Sequence, residues 1–381
     1  MIILERPYVS DFLVVTIKNN KFSVLDNEVS REYFAQNELV STEKAKEIAQ
    51  NELVYSNSEN SLDWIFNNIK GSKLVDMIAL SKNKASFRSA IQQIFPDYFF
   101  KEVSYSELKN ISVDDLKFPL ILKPSVGFLS FGVFPVQNEK EWAETLAKLD
   151  DETEKFRGIF PSNVVNTDKF IIEQMIEGDE FAVDAYFDAN GDATILNIYK
   201  HPFFDGKDVS DRVYYTSKSI LLKNLAVFKE LLDKIGKVAN YKNFPFHLEL
   251  RYDGKIAIPI ELNPLRFCGW CITDITYFAW GVNIYEHFLK QQKPDWNNIL
   301  SEKDDSIYYF TIADIPSKCK NKNIINVDYE KYLKNIANPL DVRKIDYKNN
   351  PIFCITFAKT KDLAEIKNLL SLDMSEFISC E

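Results

Sequence analysis

The sequence predicts a mixed fold, with an N-terminal α/β domain followed by α+β segments built on antiparallel strands. In residues 1–80, short apolar strands alternate with helical stretches, which is typical of a small domain with a parallel sheet. Between residues 81 and 290, pairs of apolar segments are separated by Gly or Asn-Gly, which favours antiparallel strands. Residues 291–381 show further strand patterns and a late helix, so a small C-terminal α+β region is predicted.

Each predicted element follows from a local pattern. The N-terminal strands are IIL (2–4), FSVLD (22–26) and LVY (53–55), and the helices between them are STEKAKEIAQ (41–50) and SLDWIFNNI (61–69). A helix over 82–95 is predicted from apolar residues at helical spacing and from Pro96, which follows it. The strand pairs lie within 118–136, 169–200 and 244–263. The C-terminal strands are 306–315, 341–346 and 351–359, followed by a helix over 362–370.

Composition excludes several classes of partner. A net charge of -10 lacks the basic balance that nucleic acids require, so no nucleic-acid partner is expected. No stretch approaches the ~20 apolar residues that span a bilayer, so no membrane partner is expected. The start, MIILERPYVSDF, has no basic segment before its apolar residues, and the five cysteines are scattered, which favours reduced thiols. A cytoplasmic protein is therefore expected.

A lysine interrupts the apolar segment LILKPSVGFLSFGVFPV, residues 120–136. Lys123 is predicted to end a buried strand, and a loop containing Gly127 and Gly132 follows it. A buried ammonium group without a partner is energetically costly, so such a lysine normally faces an anion. Because the chain has only 11 glycines, each is expected where the backbone or a ligand requires it. Lys123 is therefore predicted to bind an anion beside this loop.

A second segment, KFIIEQMIEGDEFAVDAYFD (169–188), combines a strand end with a turn. The first strand is predicted to end near EQM, Gly178 turns the chain, and Glu180 opens the next strand. A strand edge exposes backbone N–H and C=O groups that can bind the edge of an adenine, while a carboxylate can accept hydrogen bonds from ribose hydroxyls. The segment therefore predicts a nucleoside site.

A third segment carries Glu249, Glu261 and Asn263 on two strands joined through Asp253 and Gly254. Oxygen ligands of this kind suit Mg²⁺. A two-residue Asp-Gly loop would place the two glutamates on opposite faces of the hairpin, where they could not share a metal. A three-residue connection, or a bulge at Pro259, would place them on the same face. The metal hypothesis therefore predicts one of these two irregularities.

In their order along the chain, these residues resemble the ATP-grasp superfamily of carboxylate–amine and carboxylate–thiol ligases. The residues that carry the resemblance are Lys84, Lys123, Glu173 to Ile176, Gly178, Glu180, Glu249, Glu261, Asn263 and Arg266. The resemblance covers roughly residues 1–290. Two features depart from the family pattern: the predicted phosphate loop contains only two glycines, and both Pro264 and Leu265 separate Asn263 from Arg266.

The resemblance implies an N-terminal α/β domain over 1–80 that precedes the ATP-grasp domain, and a two-lobed ATP-grasp domain over 81–290. ATP would lie between the lobes, with Lys84, Lys123 and the loop at Gly127 at its phosphates. Glu180 would bind the ribose. The adenine pocket would be lined by Glu173, Gln174, Met175 and Ile176.

The resemblance also implies the chemistry. One or two Mg²⁺ ions, for which Mn²⁺ could substitute, would be held by Glu249, Glu261 and Asn263. Arg266 would stabilise the acyl phosphate formed from a substrate carboxylate before an amine attacks it. A polar segment between residues 188 and 220 resembles a substrate loop, in which Lys200 or Arg212 could bind the substrate carboxylate. The partners would be small-molecule carboxylates and amines, and homodimer formation stays open.

Alternatives remain at this stage. A small-molecule kinase would use the same ATP site but leave the phosphate on its product, and a nucleotide-binding module would show no turnover. Lys123 could instead form a structural ion pair with a carboxylate. The spacing Cys268-Gly-Trp-Cys271 occurs in redox dithiols, but the antiparallel context favours simple packing of these residues. His247 alternates onto the same face as Glu249 and is read first as a packing residue.

Overall fold

The N-terminal region forms a parallel sheet, as predicted. The computed structural model describes residues 1–126, 132–154, 166–205, 208, 210–319 and 322–381. The sheet has the order β3-β2-β1-β4, with β1 at Ile2–Ile3, β2 at Val24–Leu25, β3 at Leu39–Val40 and β4 at Tyr55–Ser56. The helices are α1 (Asp11–Asn20), α2 (Thr42–Asn51) and α3 (Leu62–Asn68). Ser10 and Ser41 cap α1 and α2 by accepting backbone N–H bonds, which fixes where each helix begins.

Two short helices connect this region to the next sheet. They are α4 (Lys73–Lys82) and α5 (Lys84–Ile91), and Asn83 separates them because its side chain accepts the Ser86 N–H as the N-cap of α5. The helix predicted over 82–95 is therefore present but shorter at both ends. Lys84 is its first residue, and Arg88 lies one turn later on the same face.

A small antiparallel sheet follows, in the order β5-β8-β6-β7. Its strands are β5 (Phe100–Ser104), β6 (Leu120–Val126), β7 (Phe134–Val136) and β8 (Asn166–Gln174), and α6 (Glu139–Glu154) follows β7. The prediction that the strand ends at Lys123 is wrong, because β6 continues to Val126 and pairs Lys123 with Ile171 of β8. Lys123 is therefore a buried residue within a strand.

The largest sheet has the order β13-β12-β9-β10-β11-β14-β17-β16. Its strands are β9 (Asp179–Phe187), β10 (Ala193–His201), β11 (Val213–Thr216), β12 (Phe244–Tyr252), β13 (Ala257–Pro264), β14 (Ile307–Asp314), β16 (Pro339–Lys344) and β17 (Ile352–Thr360). Helix α7 (Lys218–Val238) packs on one face, where Phe228 contacts Phe181. Strands from beyond residue 290 continue this sheet, so the predicted C-terminal region shares its main sheet with the segment before it.

The remaining elements are short. The helices are α8 (Ile275–Trp280), α9 (Ile284–Leu289), α10 (Trp296–Ser301), α11 (Tyr329–Leu333) and α12 (Leu363–Ser371), and a separate strand pair joins β15 (Ile324–Val327) to β18 (Ile378–Cys380). Within the described ranges, no helix has the length and apolar character needed to cross a membrane. The architecture confirms the predicted combination of an α/β domain with antiparallel α+β segments.

Gly178 links the small and large sheets between β8 and β9. Its φ is 101°, a left-handed value, and a Cβ at this position would lie 2.5 Å from the backbone carbonyl carbon and oxygen of Tyr252. Only glycine allows the link to pass this close to the β12–β13 hairpin.

Gly178→Ala is therefore expected to lower the free energy of unfolding by roughly 2–4 kcal/mol, because it adds both backbone strain and a steric clash. Gly254→Ala is the matched control. Gly254 has a φ of 93° but nothing within 4 Å of an added Cβ, so that variant adds the strain alone. Denaturant titrations of both variants measure the difference, and equal losses would contradict the role given to the close approach.

Candidate functional site

One face of the large sheet carries the predicted metal ligands. The strand register places Glu249 of β12 opposite Ala182 of β9 on one side and opposite Glu261 of β13 on the other. Directly paired residues project to the same face, and side chains alternate along a strand. Glu180 and Asp184, each two residues from Ala182, therefore lie on this face as well. The face forms a continuous polar surface across three strands.

A β-bulge brings the two glutamates together. Glu249 pairs with Glu261, whereas the next residue of β12 pairs with Pro259, which leaves Ile260 as the extra residue. Without this extra residue, the register set by the connection at 253–256 would turn Glu261 to the opposite face. The predicted bulge beside Pro259 is confirmed. The connection spans residues 253–256, so it is longer than the two-residue and three-residue loops considered from the sequence.

The two carboxylates have different surroundings. The Lys84 ammonium nitrogen lies 2.7 Å from Glu261 Oε2, and Asn263 Nδ2 donates to Glu249 Oε1 at 3.4 Å. Burial opposes ionisation of Glu261, but Lys84 outweighs it and lowers the pKa of Glu261 to about 2. Burial, followed by the charge of Glu261, raises the pKa of Glu249 well above its usual range. A cation between the two carboxylates would favour ionisation of both.

These residues fit a magnesium ion that shares its ligands with a phosphorylated substrate. Mg²⁺ is usually held by one or two carboxylates, while water and substrate phosphates complete its shell. Glu249, Glu261 and Asn263 could supply such a partial shell. In the part of the chain that the structure describes, no group of three or more His, Cys, Asp or Glu side chains is arranged to hold a metal by itself.

Arg266 follows β13, which carries Glu261 and Asn263, and contacts the N-terminal region. Its guanidinium donates to Glu59 Oε1 from Nε at 3.0 Å and from Nη2 at 2.7 Å, and Lys82 lies 2.5 Å from the other oxygen of Glu59. Burial opposes ionisation of Glu59, but Lys82 and Arg266 lower its pKa to about 2. Neither Glu59 nor Lys82 was identified as a site residue from the sequence. Lys82 could have been found from its position two residues before Lys84, but Glu59 has no local signal.

Lys123 belongs to a buried ion cluster. Its ammonium group contacts Glu173 Oε1, and Arg88 Nε donates to Glu173 Oε2 at 2.8 Å. Burial opposes ionisation of Glu173, but Arg88 and Lys123 lower its pKa to about 2. Burial lowers the pKa of Lys123, Glu173 opposes that shift, and the charges of Lys84 and Arg88 add to it. Lys123 therefore has the anionic partner that its burial requires. If Lys123 also binds a phosphate as predicted, it must either leave Glu173 or contact both anions.

The predicted adenine segment, Glu173 to Ile176, follows the end of β8. The backbone N–H of Met175 donates to the Pro119 carbonyl at 3.1 Å, and the Tyr98 hydroxyl donates to the Gln174 carbonyl at 2.7 Å. The Ile176 carbonyl accepts from Arg251 Nη1 at 3.4 Å. The segment is thus anchored to its surroundings by hydrogen bonds. Gly127, the predicted loop residue at the phosphates, lies outside the described residues.

Glu180 and Lys200 line a cavity of about 490 Å³ beside this segment. Glu180 accepts hydrogen bonds from His201 Nδ1 at 2.9 Å and from Arg251 Nε at 3.1 Å. Lys200 forms an ion pair with Asp179 at 2.6 Å. Leu363, Ile366, Lys367 and Leu370 of α12 form another wall of the cavity. The cavity therefore joins the predicted ribose residue to a wall from the C-terminal region.

Arg212, the alternative residue for substrate binding, contacts the C-terminal region instead. Its Nη1 donates to the carbonyls of Leu370 and Leu372 at 3.0 and 2.8 Å, and its Nη2 lies 3.1 Å from Asp314. These contacts hold the end of α12 against the large sheet. These contacts account for the charge of Arg212 without a substrate.

Asp184 is a buried residue of the polar face that sequence reasoning missed. Its carboxylate accepts from the Tyr199 hydroxyl, the Thr273 hydroxyl and the Cys268 backbone N–H, at 2.7 to 2.9 Å. It also accepts from His247 Nδ1 at 2.7 Å, while His247 Nε2 lies 4.0 Å from Glu249. Asp184 lies four residues after Glu180 on the same strand, and this even spacing could have indicated that both share one face. This network fixes the segment that follows β13 beside the predicted metal ligands.

Both cysteines of the C-x-x-C spacing are buried. Burial raises the pKa of Cys268 well above its usual range, with a further contribution from Asp184, and burial raises the pKa of Cys271 to about 11. Redox dithiols need an accessible thiolate, which these surroundings disfavour.

Replacing both Cys268 and Cys271 by Ser is therefore expected to leave ATP-dependent turnover within severalfold of the wild type. The free energy of unfolding should fall by about 1–2 kcal/mol, because each added hydroxyl is buried. Initial rates and denaturant titrations of the same preparation test both expectations. Loss of turnover in a fully folded variant would instead indicate a chemical role for the thiols.

Residues 116–274 match the protein family described as an ATP-grasp domain. The chain contains an ATP-grasp domain. The match runs from just before β6 to the segment after β13, so it includes Lys123, the β8–β9 link and the pair Glu249 and Glu261. Among curated proteins, no sequence matches the chain.

Solved structures share the fold of this chain over its whole length. An L-amino acid ligase from Bacillus licheniformis is 19% identical with a TM-score of 0.67, and the match covers 100% of this chain and 98% of that one. Biotin carboxylase from Campylobacter jejuni is 15% identical with a TM-score of 0.64, covering 100% and 91%. N5-carboxyaminoimidazole ribonucleotide synthetase from Thermotoga maritima is 13% identical with a TM-score of 0.62, covering 100% and 98%.

Proposed function

We propose that this protein is an ATP- and magnesium-dependent ligase that joins a small-molecule carboxylate to an amine and releases ADP and phosphate. The observation that carries the proposal is the opposed pair Glu249 and Glu261, brought to one face by the bulge and contacted by Asn263 and Lys84. Two carboxylates and an amide at the end of an ATP-grasp domain suit a metal that is shared with a triphosphate.

The residues around this pair would bind different parts of ATP and its metal. Lys84 and Lys123 would bind the phosphate oxygens, and Glu180 would bind the ribose. Magnesium on Glu249 and Glu261 would neutralise the oxygens of the transferring phosphoryl group. Each of these roles uses a charged residue that lies on the polar face or borders it.

The reaction would proceed in two transfers. An oxygen of the substrate carboxylate attacks the γ-phosphorus, the bond to the β-phosphate oxygen breaks, and ADP leaves. The amine then attacks the carbonyl carbon of the acyl phosphate, loses a proton, and displaces phosphate. Arg266 would stabilise the developing oxyanion, because Glu59, which also pairs with Lys82, holds its guanidinium close to the end of β13.

Amino acids or short peptides are the substrate class that we propose first. The full-length similarity to an L-amino acid ligase supports this choice. Lys200, in the cavity beside Glu180, is the described cation that we propose for the substrate carboxylate, since the contacts of Arg212 are structural.

The test is to incubate the protein with ATP and Mg²⁺ and a panel of carboxylate and amine pairs, while following ADP, free phosphate and the coupled product. A ligase releases ADP and phosphate in equal amounts, and only when both substrates are present. ADP without free phosphate, together with a phosphorylated product, would identify a kinase. Nucleotide binding without ADP formation across the panel would identify a binding module.

A further inference from the structure

Glu173 lies between two buried cations and is shared by them. Lys123 contacts one oxygen of its carboxylate, and Arg88 Nε donates to the other at 2.8 Å. The exposed fractions of Lys123, Arg88 and Glu173 are 4%, 3% and 2%. Because solvent cannot substitute for a missing partner at this depth, both cations depend on Glu173, and Glu173 depends on at least one of them.

Arg88 uses only part of its hydrogen-bonding capacity. In the described portion of the chain, neither Nη1 nor Nη2 has a hydrogen-bond partner, although both atoms are buried. The guanidinium lies over the Tyr98 ring, 4.7 Å from its centroid. Unsatisfied buried donors are costly, and a guanidinium can bind one carboxylate through two parallel N–H bonds. Arg88 therefore has spare donors next to a carboxylate that it holds with only one.

The charge of Lys123 is unfavourable for a different reason. Burial and the nearby charges of Lys84 and Arg88 disfavour its ammonium form, and Glu173 is the anion that sustains it. A triphosphate offers Lys123 more negative charge than one carboxylate does. If Lys123 turned to a phosphate, Glu173 would lose one of its two cations in a buried position.

We propose that Arg88 is a positioning residue that takes over Glu173 with its spare Nη donors when nucleotide arrives, and thereby releases Lys123 to the phosphates. The inference rests on the proposed function, because it takes Lys123 to be a nucleotide ligand. It assigns Arg88 a role in nucleotide affinity, although Arg88 itself contacts Glu173 and Tyr98.

The alternative is a cluster that only fastens α5 to the small sheet. The two roles differ in a double-mutant cycle. If Arg88 acts by drawing Glu173 away from Lys123, the cost of removing Arg88 disappears once Glu173 is neutral. If the cluster only fastens α5, removing Arg88 lowers the melting temperature but leaves the nucleotide affinity of the folded protein unchanged in either background.

The experiment titrates a non-hydrolysable ATP analogue with Mg²⁺ into the wild type, Arg88→Met, Glu173→Gln and the double variant, using calorimetry. Arg88→Met is expected to weaken binding by about tenfold or more, the scale of one charge-assisted contact. The double variant should bind within about threefold of Glu173→Gln alone. An equal loss in both backgrounds would overturn the proposal.

Two further variants keep the test decisive. Arg88→Lys preserves the charge but cannot hold Glu173 through two parallel bonds, so binding severalfold weaker than the wild type is expected. Wild-type affinity in this variant would also overturn the proposal, whether or not Arg88→Met folds. Arg343→Met is the matched control, because Arg343 is a part-buried arginine that stacks on Phe357 at 4.4 Å and pairs with Asp274 outside the site.

Failure of the proposed function gives a different result. A wild-type protein that binds no ATP analogue would refute the nucleotide role itself. A wild type that binds, together with Arg88 variants that bind equally well, would refute only the role of Arg88. Thermal melts without nucleotide establish that each variant is folded before it is titrated.

Discussion

Glu261→Gln is expected to lower the rate of ADP formation by about a thousandfold, since a metal that stabilises transferring phosphoryl charge contributes several kcal/mol. The glutamine keeps the size of the side chain and can still accept a hydrogen bond from Lys84, which lies 2.7 Å from Glu261. It removes the charge that would hold magnesium opposite Glu249. The measurement is the initial rate of ADP release at saturating ATP and Mg²⁺.

Glu249→Gln should cause a comparable loss, and the double variant should lose little more, because residues that act as one unit are not additive. Glu102→Gln is the control. It makes the same chemical change at a glutamate of the small sheet that pairs with Lys169 near the surface, and it should leave the rate unchanged. Wild-type turnover in the Glu249→Gln, Glu261→Gln double variant would refute the metal assignment.

Lys123→Met is expected to weaken ATP binding by about 10- to 100-fold, which corresponds to the ~1.5–3 kcal/mol of a charge-assisted hydrogen bond. Methionine preserves the length and apolar stem of the side chain. The fold should survive, because Glu173 keeps its bond from Arg88 at 2.8 Å after Lys123 is removed. Calorimetric titration with an ATP analogue measures the affinity directly.

A purely structural Lys123 predicts the opposite pattern. The melting temperature would fall without nucleotide, while the affinity of the remaining folded protein would equal that of the wild type. Lys169→Met, at an exposed lysine of the same sheet, is the control for both measurements. The comparison separates the two roles, because affinity and thermal stability are read from the same preparation.

Local patterns were sufficient for most of the elements. Short apolar strands alternating with helical stretches predicted the N-terminal parallel sheet, and the segments 118–136 and 244–263 do form antiparallel pairs. The strand end at Lys123 was mispredicted, because a lysine normally avoids a strand interior. In the folded chain, β6 carries it inward to meet Glu173. The error arose because the partner lies 50 residues away in sequence.

In the candidate site, too, local patterns predicted some features and not others. Lys123, Glu249, Glu261 and Asn263 were readable because they lie in apolar strand segments, whereas Lys84 was assigned through the family resemblance. The alignment of the two glutamates could be stated only as a condition, a bulge beside Pro259, and the register met it through Ile260.

The sequence by itself determined the types of residue available for the site, the strand-turn-strand settings that present them, and the family that they resemble. Only the tertiary structure decided the partners: Glu59 for Arg266, Arg88 for Glu173, and Asp184 for His247. The physical reason is the distance along the chain over which each interaction acts. Turns, caps and alternation act over a few residues, whereas a buried charge is satisfied by whichever opposite charge the packing brings within about 3 Å, however far away it lies in the chain.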